Sequence, residues 1–174
     1  RAFTPGDWQP SWDFITKLFA RDAVVKTAPG IDHGLIPEGV EAEWVSEGGE
    51  VKEAALWSGR LASVRRRATA IAHSGLVTIT DEDESNEEVV DLGKYLYEPD
   101  GAVIRAGLVG AVAAGVGGGL VDAKRSPMSP LTDHSGPHSR SPICSTSRCP
   151  TARNNSGQPS RVRGQGAALL VTPF

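Results

Sequence analysis

Cysteine is scarce: two in 174 residues exclude a small scaffold stapled by disulfides. Long apolar runs are lacking too. Nothing approaches the roughly 20 residues that span a bilayer. Residues 101–120 come closest, but they carry Arg105 and several glycines. With no signal segment visible, these absences predict a cytoplasmic protein with no membrane partner. Lys, Glu, Trp and Tyr are absent from the last 50 residues, and the chain changes character near Lys124.

Residues 1–124 hold 12 Lys and Arg against 20 Asp and Glu, a balance of −8; residues 125–174 hold 6 against 1, a balance of +5. All four Trp and both Tyr precede the break, whereas both Cys, the one Met and 7 of the 12 Pro follow it. Ser, Pro and Arg make up 22 of the last 50 residues. Such a stretch buries too little apolar surface to offset backbone ordering, so it is expected to be disordered. Cys144 and Cys149 form a C-x4-C pair, with His134 and His138 upstream. Zinc sites use tighter pairs such as C-x2-C, so no metal is expected. The six arginines of the tail attract nucleic acid through charge alone, which is a property of composition and not of a site. The chain opens on Arg1, ahead of a Pro5-Gly6-Asp7 turn, which predicts truncation at its front.

Within the first part, Ser11 is placed to cap a helix running to about Arg21, with Trp12, Ile15, Leu18 and Phe19 on one face. Asp13 near its start suits the helix dipole. Residues 23–26 are short and β-branched, and Pro29-Gly30 stops them. Helix, strand and loop make one unit of an α/β sheet. From 41 to 46 the pattern alternates: Ala42, Trp44 and Ser46 on one side, Glu41, Glu43 and Val45 on the other. Gly48-Gly49 is a hairpin turn and residues 50–57 return. Two antiparallel strands closing an otherwise parallel sheet are a familiar ending for α/β enzymes.

Residues 65–72 and 76–80 read as two more short strands. Residues 81–88 are an acidic run, most simply a solvated linker. Residues 94–99 form an aromatic-rich strand or turn, and Pro99-Asp100-Gly101 leads into an alanine-rich helix over about 102–114. The glycine-rich stretch 115–119 follows that helix and fails the G-x-G-x-x-G/A spacing, so it reads as a loop or helix stop.

Three strings carry a family likeness: Val25-Lys26-Thr27-Ala28-Pro29-Gly30-Ile31-Asp32-His33, then Gly39-Val40-Glu41-Ala42-Glu43-Trp44-Val45-Ser46, then Tyr95-Leu96-Tyr97-Glu98-Pro99-Asp100-Gly101-Ala102-Val103-Ile104-Arg105-Ala106. Through them, residues 8–124 resemble a largely actinobacterial family of S-adenosylmethionine-dependent class I methyltransferases with a C-terminal THUMP-like domain. The resemblance implies an α/β fold: the C-terminal portion of a Rossmann-like sheet ending in an antiparallel hairpin, then the start of a small α+β THUMP-like domain and a disordered tail. It divides the chain into residues 1–80 of the methyltransferase domain, an acidic linker at 81–91, a THUMP-like opening at 92–124 and the tail at 125–174. It also implies that the glycine-rich cofactor loop, the acidic ribose ligand and the Asp/Asn-Pro catalytic motif lie ahead of Arg1. No catalytic or cofactor-binding residue is therefore assigned. S-adenosylmethionine is expected for the intact family and not for this fragment.

The same likeness bears on the break. Regrouped by one base from Arg125 onward, the codons of Ser126 to Ser129 can read Ile-Ala-Tyr-Val, which the family leads one to expect after Leu120-Val121-Asp122. In the same frame Ser145 to Pro150 can give Tyr-Glu-Pro-Leu-Pro. The tail is therefore expected to be an out-of-frame product.

Asp32 and His33 are the candidate substrate-binding residues. They follow a strand, and loops at the carboxyl ends of strands line ligand crevices in open α/β sheets. Each also has a structural reading, with Asp32 capping the next turn and His33 packing. Trp8, Trp12, Trp44 and Trp57 can stack on nucleobases, but their spacing favours packing. Arg65-Arg66-Arg67 can meet phosphate, yet consecutive strand residues point to alternate faces. The expected function is a fragment of an S-adenosylmethionine-dependent methyltransferase, RNA-directed when intact and inactive as this chain. The alternative is a non-enzymatic RNA-binding THUMP-like module. RNA is the partner in both.

Overall fold

The computed structural model describes residues 8–73, 75–91 and 95–120, and beyond them the backbone of short strands at 130–131, 144–148 and 167–169. Helix α1 spans Trp12–Leu18, shorter than the expected run to Arg21. Ser11 caps it, its Oγ accepting from the Phe14 N–H at 3.4 Å. Ile15 is buried, and Trp12 and Phe19 pack against the core. Trp8, Trp12 and Phe19 form an edge-to-face ladder, with centroids 5.3 Å and 6.3 Å apart.

Five strands follow: β1 (Ala23–Thr27), β2 (Glu41–Glu47), β3 (Glu50–Ser58), β4 (Arg66–Ala72) and β5 (Gly75–Thr80). They form one mixed sheet in the order β1-β3-β2-β4-β5. β3 runs antiparallel to both β1 and β2, β4 is parallel to β2, and β5 is antiparallel to β4. So β1, β2 and β4 point the same way. Gly48 and Gly49, with φ of +60° and +88°, make the turn between β2 and β3, since two positive φ values suit glycine alone at no cost.

One expectation is corrected here. The sheet does not end on the β2–β3 pair: β3 sits inside it, and β4 and β5 extend it on the other side of β2. The physical reason is pairing: β2 is hydrogen-bonded to β3 on one side and, in parallel, to β4 on the other, so the β2–β3 pair is interior. On one face of β2, Ala42, Trp44 and Ser46 are almost fully buried. Within that row the Ser46 hydroxyl has no hydrogen-bond partner among the described residues. A buried hydroxyl without a partner carries a desolvation cost, so Ser46→Ala is expected to be neutral or to stabilise by up to about 1 kcal/mol in denaturant unfolding.

The second part comprises β6 (Tyr95–Pro99), α2 (Gly101–Ala106), α3 (Val109–Gly115) and β7 (Gly118–Leu120). The single helix expected over 102–114 is two helices. Gly107 adopts φ +68°, its N–H bonds the Ile104 carbonyl, and the Leu108 N–H bonds the Val103 carbonyl. This is a Schellman stop, with buried Leu108 and Val103 supplying its apolar contact. α3 ends at Gly115, and Gly117 at φ +63° turns the chain into β7. The acidic run keeps its carboxylates exposed, but its backbone is tied down. Asn86 N–H bonds Gly110 O, Val90 N–H bonds Leu120 O, and Leu120 N–H bonds Glu88 O.

β8 (Pro130–Leu131) and β9 (Cys144–Arg148) pair antiparallel with β6, and β10 (Ala167–Leu169) lies parallel between β6 and β7. The remainder of the stretch expected to be a disordered tail lies outside the described residues, as do His134, His138 and Cys149. One buried cluster runs from Ile31 through Trp44, Leu56 and Ala68 to Val103, Val112 and Leu120. The boundary expected at 81–91 does not interrupt that core.

Candidate functional site

The loop after β1 folds back over the sheet on its way to β2. Its conformation is set by Asp32, whose Oδ1 accepts from the Gly34 N–H at 2.8 Å and so caps the short 3-10 turn His33–Leu35. That turn lays the His33 imidazole on Trp44, with centroids 4.8 Å apart and planes 24° from parallel. Trp44, fully buried, donates from Nε1 to the Pro29 carbonyl at 3.0 Å. His33 Nε2 lies 2.6 Å from the Arg105 carbonyl. A carbonyl only accepts, so Nε2 carries the proton.

Arg105 and Arg66 complete the joint. Arg105 Nη1 reaches the Pro29 carbonyl at 3.5 Å. Arg66 Nη1 donates to the carbonyls of Ala106 and Gly107 at 3.2 Å and 3.4 Å. The last carbonyls of a helix lack intrahelical partners and carry partial negative charge, so His33 and Arg66 satisfy both needs at the end of α2. The three strings that carry the family resemblance meet here. Pro29 and His33 come from the first, Trp44 from the second and Arg105 from the third.

Beside this joint an open cleft of about 390 Å³ is lined by His33, Ile36, Ala42, Arg65, Arg66 and Asp81. A second hollow of about 520 Å³ adjoins it, sharing Arg65 and Asp81 and extending to Gly39, Ser63 and Glu82. Ala42 and Arg66 face each other at the starts of β2 and β4. The cleft therefore opens at the amino ends of these strands. The crevice expected to hold Asp32 and His33 lies at the carboxyl ends. His33 lines the cleft; Asp32 does not.

The three consecutive arginines part company, as strand geometry requires. Arg65 and Arg66 both line the cleft, Arg66 also closing α2, whereas Arg67 Nε bonds Glu41 Oε1 at 2.6 Å away from it. Glu41 was missed by pattern reading, because alternation puts it on the solvent side. It is only 3% exposed. Its Oε2 accepts from the Ser63 and Val64 N–H groups at 2.7 Å and 3.2 Å. Burial alone would push this carboxyl up, but Arg67 and the two backbone donors outweigh it and hold it below its ordinary value. The same bond holds Arg67 above its own ordinary value. A carboxylate two strands before an arginine run was the signal available. The tryptophans are engaged in packing: Trp44 is buried, and Trp57 Nε1 donates to Glu43 Oε2 at 3.1 Å.

No protein-family model matches the chain. Over 115 residues it is 44% identical to an uncharacterized S-adenosylmethionine-dependent methyltransferase of Mycobacterium tuberculosis, found in two strains; the match takes in 63% of this chain and 32% of the relative. The chain is homologous to S-adenosylmethionine-dependent methyltransferases. It spans about a third of the length of these relatives. A crystal structure of a putative methyltransferase from Porphyromonas gingivalis W83 shares the fold, with a TM-score of 0.50 at 23% identity, over 71% of this chain and 35% of that one.

S-adenosylmethionine requires a backbone turn that approaches it closely and a carboxylate free to accept from ribose hydroxyls. Among the described residues no glycine-rich turn joins a strand to a helix: Gly115 ends α3, and Gly117 turns the chain into β7, which Gly118 and Gly119 begin. Three carboxylates that follow strands each give one oxygen to the chain itself. Asp32 accepts from Gly34, Asp81 from the Arg66 N–H at 3.1 Å, and Asp100 from the Ala102 N–H at 2.8 Å.

Proposed function

We propose that this chain forms the closing part of an S-adenosylmethionine-dependent methyltransferase and the opening of a THUMP-like domain, and that by itself it neither binds the cofactor nor transfers a methyl group. The observation that carries this reading is the 44% identity over 115 residues to an S-adenosylmethionine-dependent methyltransferase of which this chain spans about a third. Inactivity is proposed because no glycine-rich strand-to-helix turn lies among the described residues. RNA as the methyl acceptor of the intact enzyme rests on the resemblance of residues 95–106 to a THUMP-like opening. Residues from about Arg125 are read as out of frame, which resequencing of the coding DNA decides.

Titrating the 174-residue chain with S-adenosylmethionine in a calorimeter is expected to give no heat of binding up to about 1 mM, the weak end of the affinity scale. Micromolar binding sinks the proposal of inactivity. Filter binding of RNA over a salt series addresses the acceptor. Phosphate contacts give a steep salt slope; because the arginines of the tail attract nucleic acid through charge alone, the assay uses residues 1–124, and their binding RNA this way without the cofactor fits the non-enzymatic module instead.

A further inference from the structure

The cleft beside His33 and the hollow that adjoins it form one groove, because Arg65 and Asp81 line both. Its floor is apolar, with Ile36 and Ala42 in the cleft and Val40 and Val64 in the hollow. Arg65 is exposed, and its guanidinium has no hydrogen bond or ion pair among the described residues. The next two arginines are engaged: Arg66 holds the end of α2 through Nη1, and Arg67 holds Glu41.

Acceptors surround this free cation. His33 directs its Nε2 proton to the Arg105 carbonyl, so Nδ1 of the neutral ring is an acceptor, unpartnered among the described residues. Asp81 gives Oδ1 to the Arg66 N–H and keeps Oδ2. Glu38 and Glu82 are exposed and line the hollow beyond Arg65, their carboxylates unpaired among the described residues. The groove therefore suits a ligand with one anionic group, several hydroxyl or amino donors and a flat body. A metal ion fits poorly, since no three His, Cys, Asp or Glu converge among the described residues. A peptide adding as a strand fits poorly too, because β2 and β4 are paired on both sides and the groove lies at their ends. A nucleotide has all three features: a phosphate that matches a guanidinium fork, ribose and base donors, and a planar base. At about 390 Å³ and 520 Å³, the two halves each lie within the size range of small-ligand sites.

We infer that this groove binds a nucleoside monophosphate unit, free or at the end of an RNA strand. The phosphate sits on Arg65, and the ribose and base donors meet Asp81, Glu38 and Glu82. The inference draws on these side chains alone and stands whether or not the methyltransferase reading does. The test titrates AMP, CMP, GMP and UMP into the labelled 174-residue chain. Binding is followed by NMR at the Trp44 indole N–H, whose ring lies against His33, and at the amides of residues 36–42. At least one nucleotide is expected to shift these signals with a Kd of about 1 mM or tighter. Arg65→Gln is expected to weaken it at least about tenfold while leaving the unfolding midpoint alone, because the guanidinium holds nothing in the fold. The matching nucleoside should bind the parent and Arg65→Gln equally, and Glu38→Ala combined with Glu82→Ala should weaken that nucleoside about threefold or more. The tail arginines remain in every variant, so a loss on Arg65→Gln belongs to the groove. A 5′-phosphorylated ribotetranucleotide separates the sources. Binding at least about tenfold tighter than the mononucleotide, and still dependent on Arg65, assigns an RNA end; equal binding assigns the free nucleotide. Inorganic phosphate that binds as tightly as every nucleotide, binding that Arg65→Gln leaves unchanged, or no shift at these signals up to about 10 mM nucleotide would each overturn the inference.

Discussion

Replacing Glu41 by Ala lowers the unfolding free energy of this chain by about 3 kcal/mol, read from denaturant midpoints. Glu41 is 3% exposed, and its two oxygens hold the Arg67 guanidinium, the Ser63 N–H and hydroxyl, and the Val64 N–H. Removing it leaves those donors facing a gap. Breaking a buried pair by deleting one partner costs about 3–5 kcal/mol. The side chain of Arg67 is 26% exposed and regains some water, which places the effect at the lower end. Glu41→Gln keeps one acceptor oxygen for the backbone donors and loses the charge, so about half of the cost is expected.

The pH dependence of this pair has a definite sign. The Glu41 carboxyl is held below its ordinary value of 4.5 in the folded chain. An unfolded state that binds protons more readily is favoured by acid, so the contribution of Glu41 is present in full above that value. It is lost as pH falls through the lower folded value. The gap in stability between the parent chain and Glu41→Ala should therefore narrow in acid, below the usual carboxylate range. A difference that stays constant from neutral pH down through that range rejects the assignment.

What the sequence made legible was local. Ser11 as a cap, the Gly48-Gly49 turn and the alternation of Ala42, Trp44 and Ser46 each depend on residues within a few positions of one another. The break at Gly107 was also local, but a glycine among good helix formers is easily read through. The signal was Gly107-Leu108 with Val103 behind it, a glycine followed by an apolar residue that folds back on the helix. Other features were not local. β3 lies between β1 and β2 because of pairing choices that sequence order does not state. Glu41 is buried by an arginine 26 positions on. Asp32 and His33 stood where a crevice was expected, yet the loop carries His33 over the sheet to a cleft at the other ends of the strands. Chain reversal within a loop decides that outcome, and a strand-end rule cannot see it.

Trp44→Ala is expected to cost about 4 kcal/mol, the range for emptying a fully buried tryptophan site. Its consequences should not be evenly spread. Trp44 is 0% exposed; it supports the His33 ring and donates to Pro29, whose carbonyl Arg105 also approaches. Without the indole, His33 loses the surface that holds Nε2 against the Arg105 carbonyl, and among the described side chains the end of α2 keeps Arg66 alone as a partner. Hydrogen exchange in Trp44→Ala should thus rise across Gly101–Ala106 and the loop at 28–40, while the β4–β5 pair stays protected. Trp44→Phe separates packing from the hydrogen bond. It keeps an aromatic face for His33 and removes the Nε1 donor, for an expected cost of about 1–2 kcal/mol with α2 still protected. His33→Ala should loosen α2 and spare the sheet, because the imidazole serves the helix end and Trp44 serves both. If Trp44→Ala instead unfolds β4 and β5 together with α2, the joint is not a separable element, and the sheet and helix form one cooperative unit.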